Sequence, residues 1–184
     1  MNIDLSHYPR PGIYDELITA AGVPRPAAQR LTDYLGTIPQ QEFDARVAAV
    51  NAAIMTMGIT FTVYSDAGNI DRAWPFDVIP RIIERREWLR IEAGLKQRLT
   101  ALNMFINDLY NEQRIVKDGI FPAEVLAGSK NFRAQCRGIT PRYGVWAHVC
   151  GTDLVRDQDG TMYVLEDNLR VPSGVSYMLE TRQL

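Results

Sequence analysis

The sequence predicts an α+β (mixed α/β) fold in which a helical N-terminal half is followed by an antiparallel β-hairpin. Two observations carry this. One apolar seam at steps of three and four runs from Glu84 to Tyr110, the pattern of a single long amphipathic helix. Late in the chain the period changes to two, in short arms on either side of Asp157-Gln158-Asp159-Gly160, which reads as strand, turn and returning strand. Helices first and a hairpin late argue against a run of βαβ units.

The elements follow in three stretches. Residues 1–57 are a helical lead-in. Its opening through Pro24 and Pro26 is rich in helix breakers, predicting an extended segment with a short helix around Tyr14 to Ala21. A second short helix spans Ala27 to Leu35 and is stopped by Gly36. Pro39 suits the first turn of a longer helix, in which Phe43, Val47, Val50, Ile54 and Met57 make one apolar stripe before Gly58 ends it. Residues 58–140 begin with Ile59 to Tyr64, an alternating, β-branched run that predicts a half-buried strand. Ser65 to Pro80, with Gly68 and Pro75, reads as a loop. The long helix comes next, its seam of Trp88, Ile91, Leu95, Leu99, Leu102, Ile106 and Leu109 packing on a core. Gly119 and Pro122 mark a turn ahead of a short helix at Ala123 to Ala127. Residues 141–184 hold the strands: Val145 to Cys150, Thr152 to Arg156, and Thr161 to Asp167.

Composition narrows the function classes. With 184 residues, 46% hydrophobic and 23% charged, the chain suits one soluble domain, or a domain with a small attachment. A formal charge of −2 supplies no general attraction to nucleic acid or anionic lipid. No apolar run reaches membrane-spanning length, and nothing near the start reads as a signal peptide, so a cytoplasmic location is expected. Cys136 and Cys150 lack CxxC spacing and read as buried free thiols.

Chemistry concentrates between Gly151 and Gly174, GTDLVRDQDGTMYVLEDNLRVPSG. If Asp157 to Gly160 form an even-length loop, Arg156 faces Thr161 and Asp153 faces Val164. Alternation then gathers Asp153, Glu166 and Asn168 on one side of the hairpin, with Leu154, Tyr163 and Leu165 on the other. Two carboxylates and an amide oxygen are hard ligands that suit Mg²⁺. Alternation alone also makes solvent-facing polar surfaces of this kind. Asp157, Asp159, Gly160 and Glu166 mimic part of an EF-hand loop. However, Val155 at its first position cannot ligate, and the flanks read as strands. Arg170, with the hydroxyl and backbone N–H groups of Ser173 and Gly174, could clamp an anion; the alternative for Arg170 is an ion pair with Glu180. His148 reads as a core histidine within a strand, and Lys96 and Arg98 as solvated.

The run GTDLVRDQDGTMYVLEDNLRVPSGVSYMLETR resembles the signature of the circularly permuted ATP-grasp proteins, bacterial relatives of glutathionylspermidine synthetase. The resemblance continues upstream, in order, through RPAAQRLTDYL, GITFTVYSDAGNIDRAWPFDVIPRII, EWLRIEAGLKQRLTALNMFINDLY and RIVKDGIFPAEVL. It implies that Asp153, Glu166 and Asn168 hold Mg²⁺ against the phosphates of ATP, with Arg170 as the basic residue after the E-x-N. It also implies ligase chemistry, in which a small-molecule carboxylate attacks the γ-phosphate and an amine then displaces phosphate to form an amide. Proteins of that kind are longer and place the lysine-bearing, adenine-binding part after the metal strands. No GxxxxGK[ST] or GxGxxG is present here. The expectation is therefore the N-terminal portion of a truncated or split ligase, inactive alone, whose partner is the missing C-terminal portion as a second chain. The alternatives are a non-catalytic remnant and a metal- or anion-binding module. Val171 to Leu184 should then expose Val175, Tyr177, Met178 and Leu179.

Overall fold

The computed structural model describes residues 12–20, 22–63 and 70–184. They form two compact units, one of residues up to Trp88 with Leu154–Leu165 and Ser173–Leu184, the other of Leu89–Asp153 and Glu166–Pro172. Small antiparallel pairings among helices make the chain α+β.

In the first unit the opening is not helical. The Asp15 carboxylate accepts the N–H groups of Leu17 and Ile18, at 2.7 and 2.9 Å, and Ile18 bridges antiparallel to Pro24. Such local side-chain bonds offer the backbone an alternative to a helix. Ala21, the last residue of the expected helix, lies outside the described residues. A 3₁₀ turn, Pro26–Ala28, leads into helix α1 (Gln29–Thr37). Gly36 sits inside α1 and does not stop it. The stop is Ile38, extended at φ −81° and ψ 126°, as a residue ahead of a proline is driven to be. Helix α2 (Gln40–Met57) follows Pro39 and closes on Gly58 at φ 67°, a left-handed cap that glycine adopts without strain. Of its stripe, Ile54 is 1% exposed, whereas Met57 is exposed.

Strand β1 (Thr60–Val63) has a partner where a loop was expected. Strand β2 (Ile70–Ala73) pairs with it antiparallel, from Thr60↔Ala73 to Val63↔Ile70. Ile-Asp-Arg-Ala is exposed throughout and has no apolar alternation to announce it; the ladder and the 2.7 Å bond from Thr62 to Asp71 hold it. Tyr64 lies outside the described residues. Helix α6 (Gly174–Thr181) docks by Tyr177, whose ring stacks on Trp74 with centroids 4.0 Å apart and whose hydroxyl donates to the Thr60 carbonyl. The expected exposed patch therefore loses Tyr177, while Val175, Met178 and Leu179 are exposed.

The same unit contains a nearly dry arginine. Arg156, with its side chain 5% exposed, donates to both carboxylate oxygens of Glu87, to Glu16 and to the Gly160 carbonyl, at 2.6–3.1 Å. Its guanidinium, like that of Arg25, lies over the Tyr14 ring. The hydrogen bond from Arg156 to Glu87, then that to Glu16, raises its pKa further. Burial pushes the Glu16 carboxyl up, but hydrogen bonds from Arg81 and Arg156 outweigh it and leave the group below the usual range.

The second unit holds most of helix α3 (Arg85–Tyr110), helix α4 (Arg114–Lys117) and helix α5 (Ala123–Gly128), with short 3₁₀ turns at Ala134–Cys136 and Arg142–Gly144. Helix α4 had no sequence signal. Its N-terminal N–H groups, on Arg114 and Ile115, are accepted by Asp108 at 2.9 and 3.0 Å. These bonds, the one from Ile115 foremost, hold the Asp108 carboxyl below its usual pKa. Tyr110 stacks with both Phe132 and Trp146, each at 4.8 Å. The strand expected at Val145 to Cys150 is absent; that segment bends irregularly. Strands β3 (Gly151–Arg156) and β4 (Met162–Asn168) pair as a two-stranded sheet. Among the described residues, no helix is long and apolar enough to cross a membrane.

Candidate functional site

Helix α3 acts as a rail for the chain that returns along it. Asn103, Asn107 and Asn111 recur every four residues and so share one face. Asn111 donates to the Ile139 carbonyl at 3.2 Å, and Asn107 accepts the Trp146 indole N–H at 3.2 Å. The Asn103 side-chain oxygen accepts the backbone N–H groups of Trp146 and Ala147, at 2.7 and 3.0 Å. These bonds replace the ladder that a strand at Val145 to Cys150 would have needed. The order 111–139, 107–146, 103–147 means that the segment runs antiparallel to the helix. The base of the hairpin continues the series. Arg98 donates to Asp167 at 2.6 Å, and Thr152 donates to the other oxygen of the same carboxylate at 2.9 Å. The Asp167 side chain is 8% exposed, so the charge-assisted bond from Thr152 contributes about 1.5–3 kcal/mol. The pair with Arg98, itself 48% exposed, is screened by solvent and contributes less. Arg98 is exposed, as expected, and through this bond it also anchors the hairpin.

The turn differs from the even-length loop. The Gly160 N–H donates to the Asp157 carbonyl and the Asp157 N–H to the Thr161 carbonyl, both at 2.9 Å, with Gly160 at φ 89°. That is a three-residue loop with a glycine bulge, so Arg156 does not face Thr161. Unbroken alternation from an odd loop would send Glu166 to the face opposite Asp153. Instead, alternation lapses along β4, where Leu165 and Glu166 are exposed in succession. At the hairpin base Thr152 and Asp167 share one face; alternation resumed from that pair would turn Asp153, Glu166 and Asn168 to the other. There the Asn168 amide donates to Glu166 at 3.0 Å. Asp153 and Glu166 are exposed, leaving room for water or phosphate in a cation's shell. No cluster of three or more His, Cys, Asp or Glu side chains suited to a metal occurs among the described residues; this set is two carboxylates and one amide.

The loop after β4 approaches β3 closely. A Cβ on Gly151 would lie 2.8 Å from the Pro172 Cβ, so only glycine fits there. Between Arg170 and Pro172, Val171 takes φ 48°, a conformation that costs a β-branched residue about 1–3 kcal/mol. Arg170 itself is exposed. Ser173 and Gly174 belong to the first unit, where they open α6. The turn aspartates are taken up by their own backbone. Asp157 accepts the Gln158 N–H and Asp159 the Thr161 N–H, which holds Asp159 below its usual pKa.

Beside the rail lies an open groove of about 950 Å³, reached by Lys96 and His148. His148 is exposed on a bend, not inside a strand, and Cys136 and Cys150 are half-buried free thiols, not fully buried ones. Sequence reasoning missed the three asparagines; their four-residue spacing, two on α3 and the third one residue past its end, was the available signal.

Comparison with known proteins bears on this hairpin. A family model described as circularly permuted ATP-grasp type 2 matches residues 80–184, which include α3 and both hairpin strands. An uncharacterized protein of Synechocystis sp. is 47% identical over 182 residues, covering 99% of this chain and 38% of the relative. An uncharacterized Mycobacterium tuberculosis protein is 39% identical over 170 residues, covering 92% of this chain and 30% of the relative. A Frankia casuarinae protein carrying the name of a glutamate–cysteine ligase is 39% identical over 175 residues, covering 95% of this chain and 20% of the relative. The chain thus spans less than two-fifths of the length of these relatives. With more than half of its length inside the family model, the chain belongs to the circularly permuted ATP-grasp family, type 2.

Proposed function

We propose that this chain supplies the metal face of an ATP-dependent carboxylate–amine ligase, akin to the glutathionylspermidine synthetase group. The observation that carries the reading is the hairpin base. Thr152, Asp167 and Arg98 lock one face together, and on the opposite face we place Asp153, Glu166 and Asn168. This donor set fits Mg²⁺, which takes a few carboxylate oxygens and keeps the rest of its shell for water and phosphate. When bound, the ion would neutralise phosphate oxygens and draw charge from the transferring phosphoryl group. Asp153 and Glu166 would hold it, with the Asn168 amide turned to offer its oxygen. Arg170 would hold the charge that develops on the phosphoryl oxygens. The ligase class is supported by the family and by the name of the Frankia relative. We place the nucleotide clamp in the part of the relatives that this span does not match. By itself the span then binds Mg-ATP weakly and has no ligase activity.

The test is equilibrium binding of a non-hydrolysable ATP analogue to the chain, with and without Mg²⁺. The reading expects millimolar affinity that depends on Mg²⁺ and loses that dependence in Glu166→Gln. Micromolar affinity, or affinity indifferent to the metal, overturns it.

A further inference from the structure

We propose that Asp167 is the positioning residue of the metal face: clasped by Arg98 and Thr152, it holds closed the two strands that set Asp153 and Glu166 directly opposite each other. This rests on the ligase reading and gives a role to residues that are not ligands in it.

At the turn the Asp157 N–H meets the Thr161 carbonyl, and at the base the Thr152 hydroxyl meets the Asp167 carboxylate. Between these two points lie five steps along the first arm of the hairpin and six along the second. The second arm therefore carries one extra residue, a bulge, which accounts for Leu165 and Glu166 being exposed in succession. Past the bulge Thr152 is level with Asp167. A Cβ on Gly151 would lie 3.8 Å from that of Asn168, so the next pair toward the base is level as well. In the same register, the pair on the turn side of Thr152 and Asp167 is Asp153 with Glu166.

Directly opposed residues share a face with their Cβ atoms about 4.5–5.5 Å apart, and like charges placed so push the strands apart. A two-stranded hairpin has little of its own to resist this, being marginally stable when isolated. The resistance comes from the other face. The Asp167 side chain is 8% exposed, and both of its oxygens are taken, one by Thr152 across the pair at 2.9 Å and one by Arg98 of α3 at 2.6 Å. One carboxylate thus ties β3, β4 and α3 at a single point, within one compact unit.

The clasp is as near to the ligand positions as the chain allows. Thr152 adjoins Asp153, and Asp167 stands between Glu166 and Asn168. One step along the chain is about 3.8 Å, whereas Mg²⁺ accepts oxygens only near about 2.0–2.1 Å and in close to octahedral geometry. Any roll or opening of the strands at Asp167 therefore moves the carboxylates out of range of a shared ion. A cation between Asp153 and Glu166 cancels their repulsion, so ion and clasp favour the same closed pair.

Arg98→Met separates position from charge, because the two act in opposite directions. Removing a cation near the site would by field alone tighten a divalent ion, while loss of the clasp loosens it. Mn²⁺ is titrated into the isotope-labelled chain and followed by amide broadening at residues 151–153 and 166–168. Arg98→Met should weaken Mn²⁺ about tenfold. Arg98→Lys should stay within about threefold of wild type, since Arg98 uses a single N–H in the clasp. Thr152→Val changes no charge and should weaken Mn²⁺ by about fivefold or more, with amide signals away from the hairpin base unmoved. Arg98→Met binding Mn²⁺ as tightly as wild type or more tightly, or Thr152→Val within about twofold of wild type, overturns the inference. Those results leave the metal face standing as long as wild type shows the broadening and Glu166→Gln abolishes it. A wild type that shows no broadening at these residues removes the metal face, and the inference with it.

Discussion

Replacing Asn103 with leucine tests whether the rail holds the returning segment. The Asn103 side-chain oxygen is the acceptor for two backbone N–H groups, those of Trp146 and of the buried Ala147. Leucine keeps the volume but strands both donors. At about 1–1.5 kcal/mol for each, the loss is about 2–3 kcal/mol. With a urea slope of about 1–3 kcal/mol per molar, the unfolding midpoint falls by about 1 M or more. Asn103→Asp is the control. It retains the acceptor and loses only the donation from the amide to the Leu99 carbonyl, so its cost stays below about 1 kcal/mol. The assays are urea unfolding and hydrogen exchange at Trp146 and Ala147, where leucine should accelerate exchange and aspartate should not. If leucine shifts stability by less than about 0.5 kcal/mol, or aspartate costs as much as leucine, the rail is not what orders this segment.

Other expectations follow from the same contacts. Arg156→Met leaves Glu87 and Glu16 without their shared cation and should cost about 3–5 kcal/mol in denaturant unfolding; a loss under about 1 kcal/mol refutes the buried network. Because the Glu16 carboxyl is lowered in the folded state, the unfolded chain binds the extra proton. Its contribution is therefore full above about pH 4.3 and fades as pH falls through the lowered folded value. Unfolding midpoints between pH 6 and pH 3 should fall more steeply for wild type than for Glu16→Gln, and parallel curves refute this. Gly151→Ala drives a methyl into Pro172 at 2.8 Å and should cost about 1–3 kcal/mol by thermal unfolding; a neutral change would mean the loop yields freely.

What the sequence revealed divides along physical lines. Helices α2 and α3 were legible because their apolar residues recur at the helical period, and Gly58 ends α2 because a left-handed residue must follow it. The hairpin was legible from its alternation and turn chemistry. Strand β2 was not, because four exposed residues owe their conformation to the ladder from β1. The role of Asn103 was hidden because its partners lie 43 and 44 residues away, beyond any local pattern. The parity of the turn went wrong over one glycine. Asp-Gln-Asp-Gly reads as a four-residue turn, yet Gly160 at φ 89° makes a bulge, and only the bond from Asp157 to Thr161 tells the two apart. The grouping of Asp153, Glu166 and Asn168 therefore depends on a lapse in alternation along β4 that residue types alone do not announce. Asp167, the residue between the two candidate ligands, had no assigned role, although it ties both hairpin strands to α3.

The most direct test of the account is where a divalent cation settles. Mn²⁺ added in substoichiometric amounts to the isotope-labelled chain broadens amide signals close to the ion. The account predicts broadening centred on residues 151–153 and 166–168, displaced by excess Mg²⁺ and abolished in Glu166→Gln. Broadening centred on the Asp157–Asp159 turn, or a pattern that Glu166→Gln leaves untouched, would contradict it.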